Sequence, residues 1–186
     1  MKKTVLYILR LSLTLLIITA LAAASLAYVN SITKDAIAEN QLAKTNRAMS
    51  EVLPGAENIQ KIDDGSGIVQ GVYAAGEDSP VQGWAVLVAP NSGFGGEIRM
   101  MVGISAKGRL TGISIISHAE TPGLGAVAAA KTPAGEAFRS SFFGSQGTLT
   151  MEDIDALSGA TITSRAVLEG VNAAIEYLEN LVKGAW

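Results

Sequence analysis

The stretch Glu97–His118 reads EIRMMVGISAKGRLTGISIISH and contains two apolar, β-type runs joined by a short polar connection. In the first run, Glu97 to Ser105, the residues Ile98, Met100, Val102 and Ile104 alternate with Glu97, Arg99 and Met101, which is the period of a strand with a buried face. In the second run, Leu110 to His118, one side would carry Leu110, Gly112, Ser114 and Ile116 and the other Thr111, Ile113, Ile115 and Ser117. The connection Ala106–Arg109 contains a glycine and has the length of a hairpin loop, so the two runs predict an antiparallel pair.

Two more β-type runs precede this pair, and a helical pattern follows it. The runs Gly67–Ala74 and Val81–Ala89 extend the pair to an antiparallel meander with at least one buried face. Small residues from Gly123 to Gly135 predict a loop with short helical pieces. From Ser164 to Lys183 apolar residues recur at helical spacing, so we expect a helix that packs on the sheet. The predicted fold class is α+β, with an antiparallel or mixed sheet packed with helices.

The first 33 residues contain only three charges, Lys2, Lys3 and Arg10, and all are positive. The nineteen uncharged residues Leu11–Val29 are enough for a helix to cross a hydrocarbon core of about 30 Å. The positive charges before this segment predict a cytoplasmic N-terminus. A cleaved signal peptide is the alternative, because Ser25-Leu26-Ala27 offers small residues around a possible cleavage point. Both interpretations place the rest of the chain across the membrane.

We therefore expect a protein of the cell (inner) membrane with a single transmembrane pass. Its expected parts are a cytoplasmic tip (1–10), a transmembrane anchor (11–33), a helical stalk (34–54) and an extracytoplasmic domain (55–186). The stalk is predicted from the segment Asp35–Leu53, which is rich in helix-forming residues and ends before a Pro-Gly pair.

The charge and residue counts exclude several classes of function. The chain has 14 basic and 17 acidic residues, and because three basic residues precede residue 34, residues 34–186 carry 11 − 17 = −6. This acidic domain does not fit a nucleic-acid partner. The lack of cysteine excludes disulfides, iron–sulfur clusters and thiolate zinc sites in this chain. The single histidine excludes sites with two imidazoles, and we expect no metal site and no catalytic residue.

The segment Asp155–Ser164, DALSGATITS, leads into the predicted C-terminal helix. Gly159 allows the backbone to turn sharply or to approach a ligand, and Thr163 or Ser164 is the expected N-cap. Thr161 would then present its hydroxyl beside a helix N-terminus, where free N–H groups and the helix dipole favour a phosphate. By itself, the segment is more typical of a turn and cap that bind no ligand.

The segment His118–Gly125, HAETPGLG, follows the last β-type run, and its Pro-Gly pair signals a turn. His118 and Glu120 are residue types that act as acid and base, yet polar residues are also common where strands end. The nearby turn Gly93–Gly96, GFGG, lacks the Lys-Ser/Thr of a phosphate loop and precedes a strand. Taken alone, these stretches do not establish a site.

Together, the two segments resemble the FMN-binding domain family whose members carry flavin covalently on threonine, and within it the G subunits of Rnf-type membrane electron-transport complexes. The family's flavinylation motif is Asp, two residues, Ser or Thr, then Gly-Ala-Thr, and it is matched by Asp155, Ser158, Gly159, Ala160 and Thr161. The family's second hallmark loop is matched by His118, Glu120, Thr121, Pro122, Gly123, Leu124 and Gly125. The GFGG turn resembles a third family feature, with Phe94 where tyrosine is more usual. The resemblance spans nearly the whole chain.

The resemblance implies that Thr161 carries FMN through a phosphoester bond. A separate flavin transferase would form this bond from FAD outside the cytoplasm, with Asp155 as part of its recognition signal. The resemblance also implies that further residues bind the cofactor, namely Ser158, Gly159, Ala160, Thr163, His118, Glu120, Thr121, Pro122, Gly123, Leu124 and Gly125. Covalent attachment would prevent loss of the flavin.

The same resemblance implies an electron-relay subunit rather than an enzyme on its own. Together with other membrane subunits in the lipid bilayer, it would serve a complex that couples ferredoxin:NAD electron transfer to translocation of sodium ions or protons. Ferredoxin and NAD would bind other subunits, because this chain has neither a cysteine cluster nor a dinucleotide fingerprint. The alternatives are the C subunit of the sodium-translocating NADH:quinone reductase, a stand-alone membrane-anchored flavin module, and an anchored domain without flavin.

Overall fold

The computed structural model describes residues 2–56, 58–76 and 81–182. Its elements follow the chain in the order α1 (Lys2–Val52), β1 (Ile59–Asp63), β2 (Val69–Ala75), β3 (Gly83–Val88), β4 (Arg99–Ser105), β5 (Leu110–Ser117), a 3-10 helix (Gly125–Ala129), α2 (Pro133–Ser140) and α3 (Thr161–Leu181). The chain divides into two compact units, Met1–Ala43 and Lys44–Trp186.

The first unit consists of the apolar part of α1. Side chains from residue 3 to residue 43 are exposed, including the large apolar residues Leu6, Leu15 and Leu26. Of the helices in the described ranges, one is long and apolar enough to cross a membrane, and it is α1. A helix that is apolar on all sides requires apolar surroundings, which a bilayer supplies.

The second unit is built on a five-stranded sheet in the order β1-β2-β3-β4-β5, with each neighbouring pair antiparallel. The meander expected from the alternating runs is therefore confirmed. The predicted hairpin between β4 and β5 is closed by the Ser105 N–H, which donates to the Arg109 carbonyl at 2.8 Å. Strand β1, whose sequence is IQKID, was not expected, because it is an edge strand with mostly exposed side chains and lacks an apolar alternation.

Both faces of this sheet are covered, which explains why all six residues of β3 are buried. One face packs against α2 and α3 through a core that includes Val86, Val102, Phe138 and Val171. The other face packs against the end of α1, and its core consists of Ala48, Met49, Val52, Leu53, Ala75, Ala85, Leu87 and Met101. The last turns of the segment predicted as a stalk thus contribute to the core of the domain.

Helix α3 begins at Thr161, three residues before the expected start, and its expected end at Lys183 lies outside the described residues. The expected caps are wrong, because the N-cap position is Ala160, which makes no side-chain capping bond. Ser164 is buried, and its side chain bonds to the preceding turn. Its Oγ donates to the Ala160 carbonyl at 3.1 Å and accepts from the Leu157 N–H at 3.0 Å. Thr163 forms a different bond, described below.

Candidate functional site

The HAETPGLG loop after β5 and the SGAT turn before α3 meet at one cavity of about 340 Å³. Its lining consists of Phe94, Glu120, Thr121, Leu124, Gly125, Gly159, Ala160, Thr161, Ile162 and Thr163. The fold therefore brings together two segments that are distant in sequence, because the 3-10 helix at the end of the HAETPGLG loop packs against α3. It also adds Phe94 from the GFGG turn.

A buried carboxylate, Glu120, connects the three segments around this cavity. Its Oε1 accepts from the Gly95 N–H at 2.9 Å, and its Oε2 accepts from the Thr163 hydroxyl at 2.5 Å. Glu120 is only 6% exposed, and burying a carboxylate is costly unless such donors compensate it. The bonds to Gly95 and Thr163 therefore identify Glu120 as a structural anchor of the cavity.

Gly125 permits the close approach at this anchor. A Cβ at Gly125 would lie 2.3 Å from Glu120 Oε2 and 2.4 Å from Thr163 Oγ1, which is too close for any side chain. A glycine here is thus required by the bond between Glu120 and Thr163. This close packing gives a physical reason for the last glycine of the HAETPGLG loop.

The first turn of α3 forms one wall of the cavity. Gly159 adopts φ +73°, a left-handed conformation that glycine accepts without strain, and it turns the chain into the helix. The first hydrogen bond within the helix joins the Ser164 N–H to the Ala160 carbonyl. The N–H groups before Ser164 therefore lie ahead of the first helical hydrogen bond, as at any helix start. An uncapped N-terminus with a positive dipole end favours a negative group such as a phosphate.

The hydroxyl groups of this turn differ in accessibility. Thr161 is exposed at the first position of α3, whereas Thr163 is 2% exposed and its hydroxyl bonds to Glu120. Ser164 is fully buried. A cofactor phosphate can therefore reach Thr161 without breaking any bond of the anchor.

Large apolar side chains surround the cavity and remain exposed. Phe94 is 69%, Leu124 47% and Ile162 50% exposed. An apolar rim beside polar anchoring groups is typical of a site for a flat organic ligand. From the sequence, no role was assigned to Phe94 or Ile162. The aromatic residue between two glycines is the feature of the sequence that could have indicated Phe94.

The remaining predicted residues do not line the cavity. His118 is half-buried, and its Nδ1 accepts from the Glu120 N–H at 3.2 Å, which places the proton of a neutral imidazole on Nε2. Pro122 and Gly123 form the exposed turn between Thr121 and Leu124. Ser158 and Asp155 are exposed in the segment before α3. The structure therefore assigns His118 a contact with the loop backbone and shows no cavity contact for these five residues.

The residues of this cavity fit FMN. A phosphate matches the uncapped start of α3 beside the Thr161 hydroxyl, and the apolar rim matches the flat isoalloxazine ring. Within the described ranges, no group of three or more His, Asp or Glu side chains is placed to hold a metal ion. The uncapped helix start and the apolar rim suit an organic, phosphate-bearing cofactor.

Comparisons with known proteins agree with this geometry. Residues 93–176 match the family described as FMN-binding domain, and residues 1–52 match the RnfG N-terminal region. The G subunit of the Na⁺-translocating ferredoxin:NAD⁺ oxidoreductase complex of Acetobacterium woodii is 36% identical, over 94% of this chain and 93% of the relative. The G subunit of the ion-translocating oxidoreductase complex of Methanosarcina acetivorans is 32% identical, over 89% and 91%.

A third relative, the G subunit of the proton-translocating ferredoxin:NAD⁺ oxidoreductase complex of Clostridium ljungdahlii, is 32% identical over 86% of this chain and 85% of its own length. The similarity thus includes both the apolar N-terminal helix and the domain that contains the cavity, and it identifies a membrane protein. The chain belongs to the FMN-binding domain family, among the G subunits of ion-translocating oxidoreductase complexes.

Proposed function

We propose that this chain is an electron-transfer subunit that holds FMN covalently through a phosphoester bond to Thr161. One observation carries the proposal: Thr161 is exposed at the first position of an uncapped helix, inside a cavity with an apolar rim. The buried Thr163 next to it is already bonded to Glu120, which makes it the weaker candidate for attachment.

Attachment requires only a hydroxyl and a suitable environment from this chain. With FAD as the donor, Thr161 Oγ would bond to the phosphorus of the FMN half, the bond between the two phosphates would break, AMP would leave, and the hydroxyl proton would be released. A separate flavin transferase would catalyse this exchange, with the exposed Asp155 as part of its recognition signal. The N–H groups at the start of α3 would stabilise the one negative charge left on the phosphodiester.

The other cavity residues would position the cofactor and limit its contact with water. Phe94, Leu124 and Ile162 offer apolar surface to a flat ring, and Glu120 fixes the loops that carry them. Bound FMN would supply the chemistry of accepting and passing on one or two electrons. The role of the protein is therefore to position and retain the cofactor.

We further propose that the chain works with the other membrane subunits of a complex that couples ferredoxin:NAD electron transfer to ion translocation. The names of the relatives support this, since two of them are subunits of ferredoxin:NAD⁺ oxidoreductase complexes. One of these two is named for sodium ions and the other for protons. These two relatives are thus named for different translocated ions. The proposal therefore covers translocation of either sodium ions or protons.

The proposed topology is a single pass through the bilayer, with a cytoplasmic tip (1–10), an anchor (11–33), a stalk (34–54) whose last turns pack on the sheet, and an extracytoplasmic flavin domain (55–186). The three positive charges before the apolar segment support this orientation. Flavin attachment would then take place outside the cytoplasm.

The functional proposal is tested by comparing membranes that contain the complex with wild-type chain or with Thr161→Ala. We expect the variant complex to assemble but to lose ferredoxin:NAD oxidoreductase activity. Unchanged activity in an assembled Thr161→Ala complex would contradict the relay role. If the wild-type chain purifies without other subunits, it is a stand-alone flavin module.

A further inference from the structure

A second cavity lies on a different part of the domain, where the end of α1 meets β5, the residues before α2 and the last turn of α2. Its volume is about 330 Å³, and its lining includes the β5 residues 113–116. Its charged lining residues are Lys44, Arg47, Glu51, Lys131 and Arg139. None of them takes part in the candidate cofactor site.

The charge of this cavity is opposite to that of the domain. Residues 34–186 carry −6, yet four of their 11 basic residues converge here against one carboxylate, which leaves 4 − 1 = +3. Like charges in one concave site repel each other, and the walls of the site focus their field. Such an arrangement favours the binding of an anion.

Arg139 has a fixed position in this cavity. Its Nη1 donates to the Ala128 carbonyl at 2.6 Å and to the Ala130 carbonyl at 3.0 Å. These bonds use one of the three nitrogen atoms of the guanidinium group, which carries five N–H donors in a rigid plane. The orientation of an anion-binding group is thus set before any ligand arrives.

Glu51 neutralises only part of the positive charge. Its Oε2 accepts from the buried Ser114 hydroxyl at 2.7 Å, and its Oε1 accepts from Arg47 Nε at 3.3 Å. The Ser114 hydrogen bond, and then the charges of Arg47 and Lys131, lower the pKa of Glu51 below its ordinary value, so it stays ionised at neutral pH. Each carboxylate oxygen therefore has a partner, while the cavity remains cationic.

We propose that this cavity binds a phosphate group, supplied either by a free phosphate anion or by the headgroup of an anionic lipid. A phosphate has several acceptor oxygens and up to two negative charges, which match Arg and Lys donors that come from two helices and the segment between them. The volume is in the range of sites for small ligands.

The test uses the full-length, flavin-loaded chain in detergent and measures inorganic phosphate binding by titration calorimetry, with ionic strength held constant by chloride. We expect saturable binding to the wild type. The double variant Lys44→Gln/Lys131→Gln should bind on the order of tenfold more weakly, because two charge-assisted contacts are lost. Both lysines are exposed, so the fold should persist, and thermal unfolding checks this.

Two matched variants isolate the cavity charge. Lys107→Gln removes an exposed lysine at the β4–β5 turn, outside the cavity, and should leave the phosphate affinity unchanged. Lys44→Arg/Lys131→Arg retains both charges and should retain binding. Absence of saturable binding to the wild type, or equal affinity in the wild type and the glutamine variant, would overturn the proposal unless the lipid arm shows a headgroup site.

The lipid arm distinguishes the two sources of phosphate. Short-chain phosphatidylglycerol is titrated against the same proteins, with phosphatidylcholine as the zwitterionic control. Binding of phosphatidylglycerol that weakens in Lys44→Gln/Lys131→Gln assigns the site to a lipid headgroup. Phosphate binding without phosphatidylglycerol binding assigns it to a free anion. Failure of both ligands to bind the wild type rejects the site.

Discussion

Thr163 donates from its hydroxyl to Glu120 Oε2 at 2.5 Å and so joins two segments that lie 43 residues apart. Both side chains are buried, and the other carboxylate oxygen of Glu120 accepts from the Gly95 N–H. One ionisable group thereby fixes the loop after β5, the first turn of α3 and the GFGG turn. The shape of the candidate cofactor cavity depends on this bond.

Replacing Thr163 by valine should destabilise the domain without removing the flavin. Glu120 would lose a donor while staying buried, which costs about 1–3 kcal/mol of unfolding free energy. Denaturant unfolding measures this change. The exposed Thr121→Val is the matched control and should change stability by about 0.5 kcal/mol or less. Equal unfolding free energies of the two variants would show that the bond between Thr163 and Glu120 does not stabilise the domain.

Replacing Gly125 by alanine should disrupt the same bond by steric contact. The new Cβ would lie within 2.4 Å of both Glu120 Oε2 and Thr163 Oγ1, so the loop must move. We expect a loss of stability of about 2 kcal/mol or more, as for other overpacked sites, together with reduced flavin incorporation. Unfolding curves and the flavin-to-protein absorbance ratio measure the two effects.

Gly123→Ala provides the comparison, because this glycine has φ +77° but open space where the new methyl group would lie. Only the backbone penalty of about 1–2 kcal/mol applies there, so the bond between Glu120 and Thr163 should persist. A larger loss of flavin incorporation in Gly123→Ala than in Gly125→Ala would contradict the role of the Glu120–Thr163 bond.

The contact between α3 and the edge strand β1 should make stability depend on pH. Tyr177 donates from its hydroxyl to Asp63 Oδ1 at 2.6 Å. This bond lowers the pKa of Asp63 below 3.8, and the Gly65 N–H adds to the effect. The same bond raises the pKa of Tyr177 above 10.0. The interaction requires an ionised Asp63 and a protonated Tyr177.

Tyr177→Phe should therefore lower stability most between these two pKa values. A lowered carboxyl pKa gives stability that is present above 3.8 and is lost as the pH falls through the folded-state value. A raised tyrosine pKa gives stability that is present below 10.0 and is lost as the pH rises through the folded-state value. In an Asp63→Asn background, Tyr177→Phe should lose the acid side of this pH dependence, because residue 63 no longer ionises. A pH-independent difference in the Asp63 background would contradict the assignment.

The regular part of the fold was accessible from the sequence because it rests on local periodicity. Alternation indicated β4 and β5, β-type apolar runs indicated β2 and β3, and the apolar stripe indicated α3. Strand β1 was missed, since an exposed edge strand needs no apolar pattern. The start of α3 was misplaced because Ala160, which has no capping side chain, occupies the N-cap position.

The candidate site was only partly accessible for a different reason. Local motifs indicated the two segments, but the bond between Glu120 and Thr163 depends on tertiary contact and cannot be read from spacing. The same holds for the cationic cavity, whose Lys44 and Arg139 are far apart in the chain. Their convergence results from the packing of α1 and α2 beside β5.

The most direct test of the central claim is in-gel flavin fluorescence after denaturing electrophoresis. The wild-type chain, Thr161→Val and Thr163→Val are each produced together with a flavin transferase. We predict a fluorescent band for the wild type and for Thr163→Val, and none for Thr161→Val. A fluorescent Thr161→Val band, or a wild-type band without fluorescence, would contradict covalent attachment of FMN at Thr161.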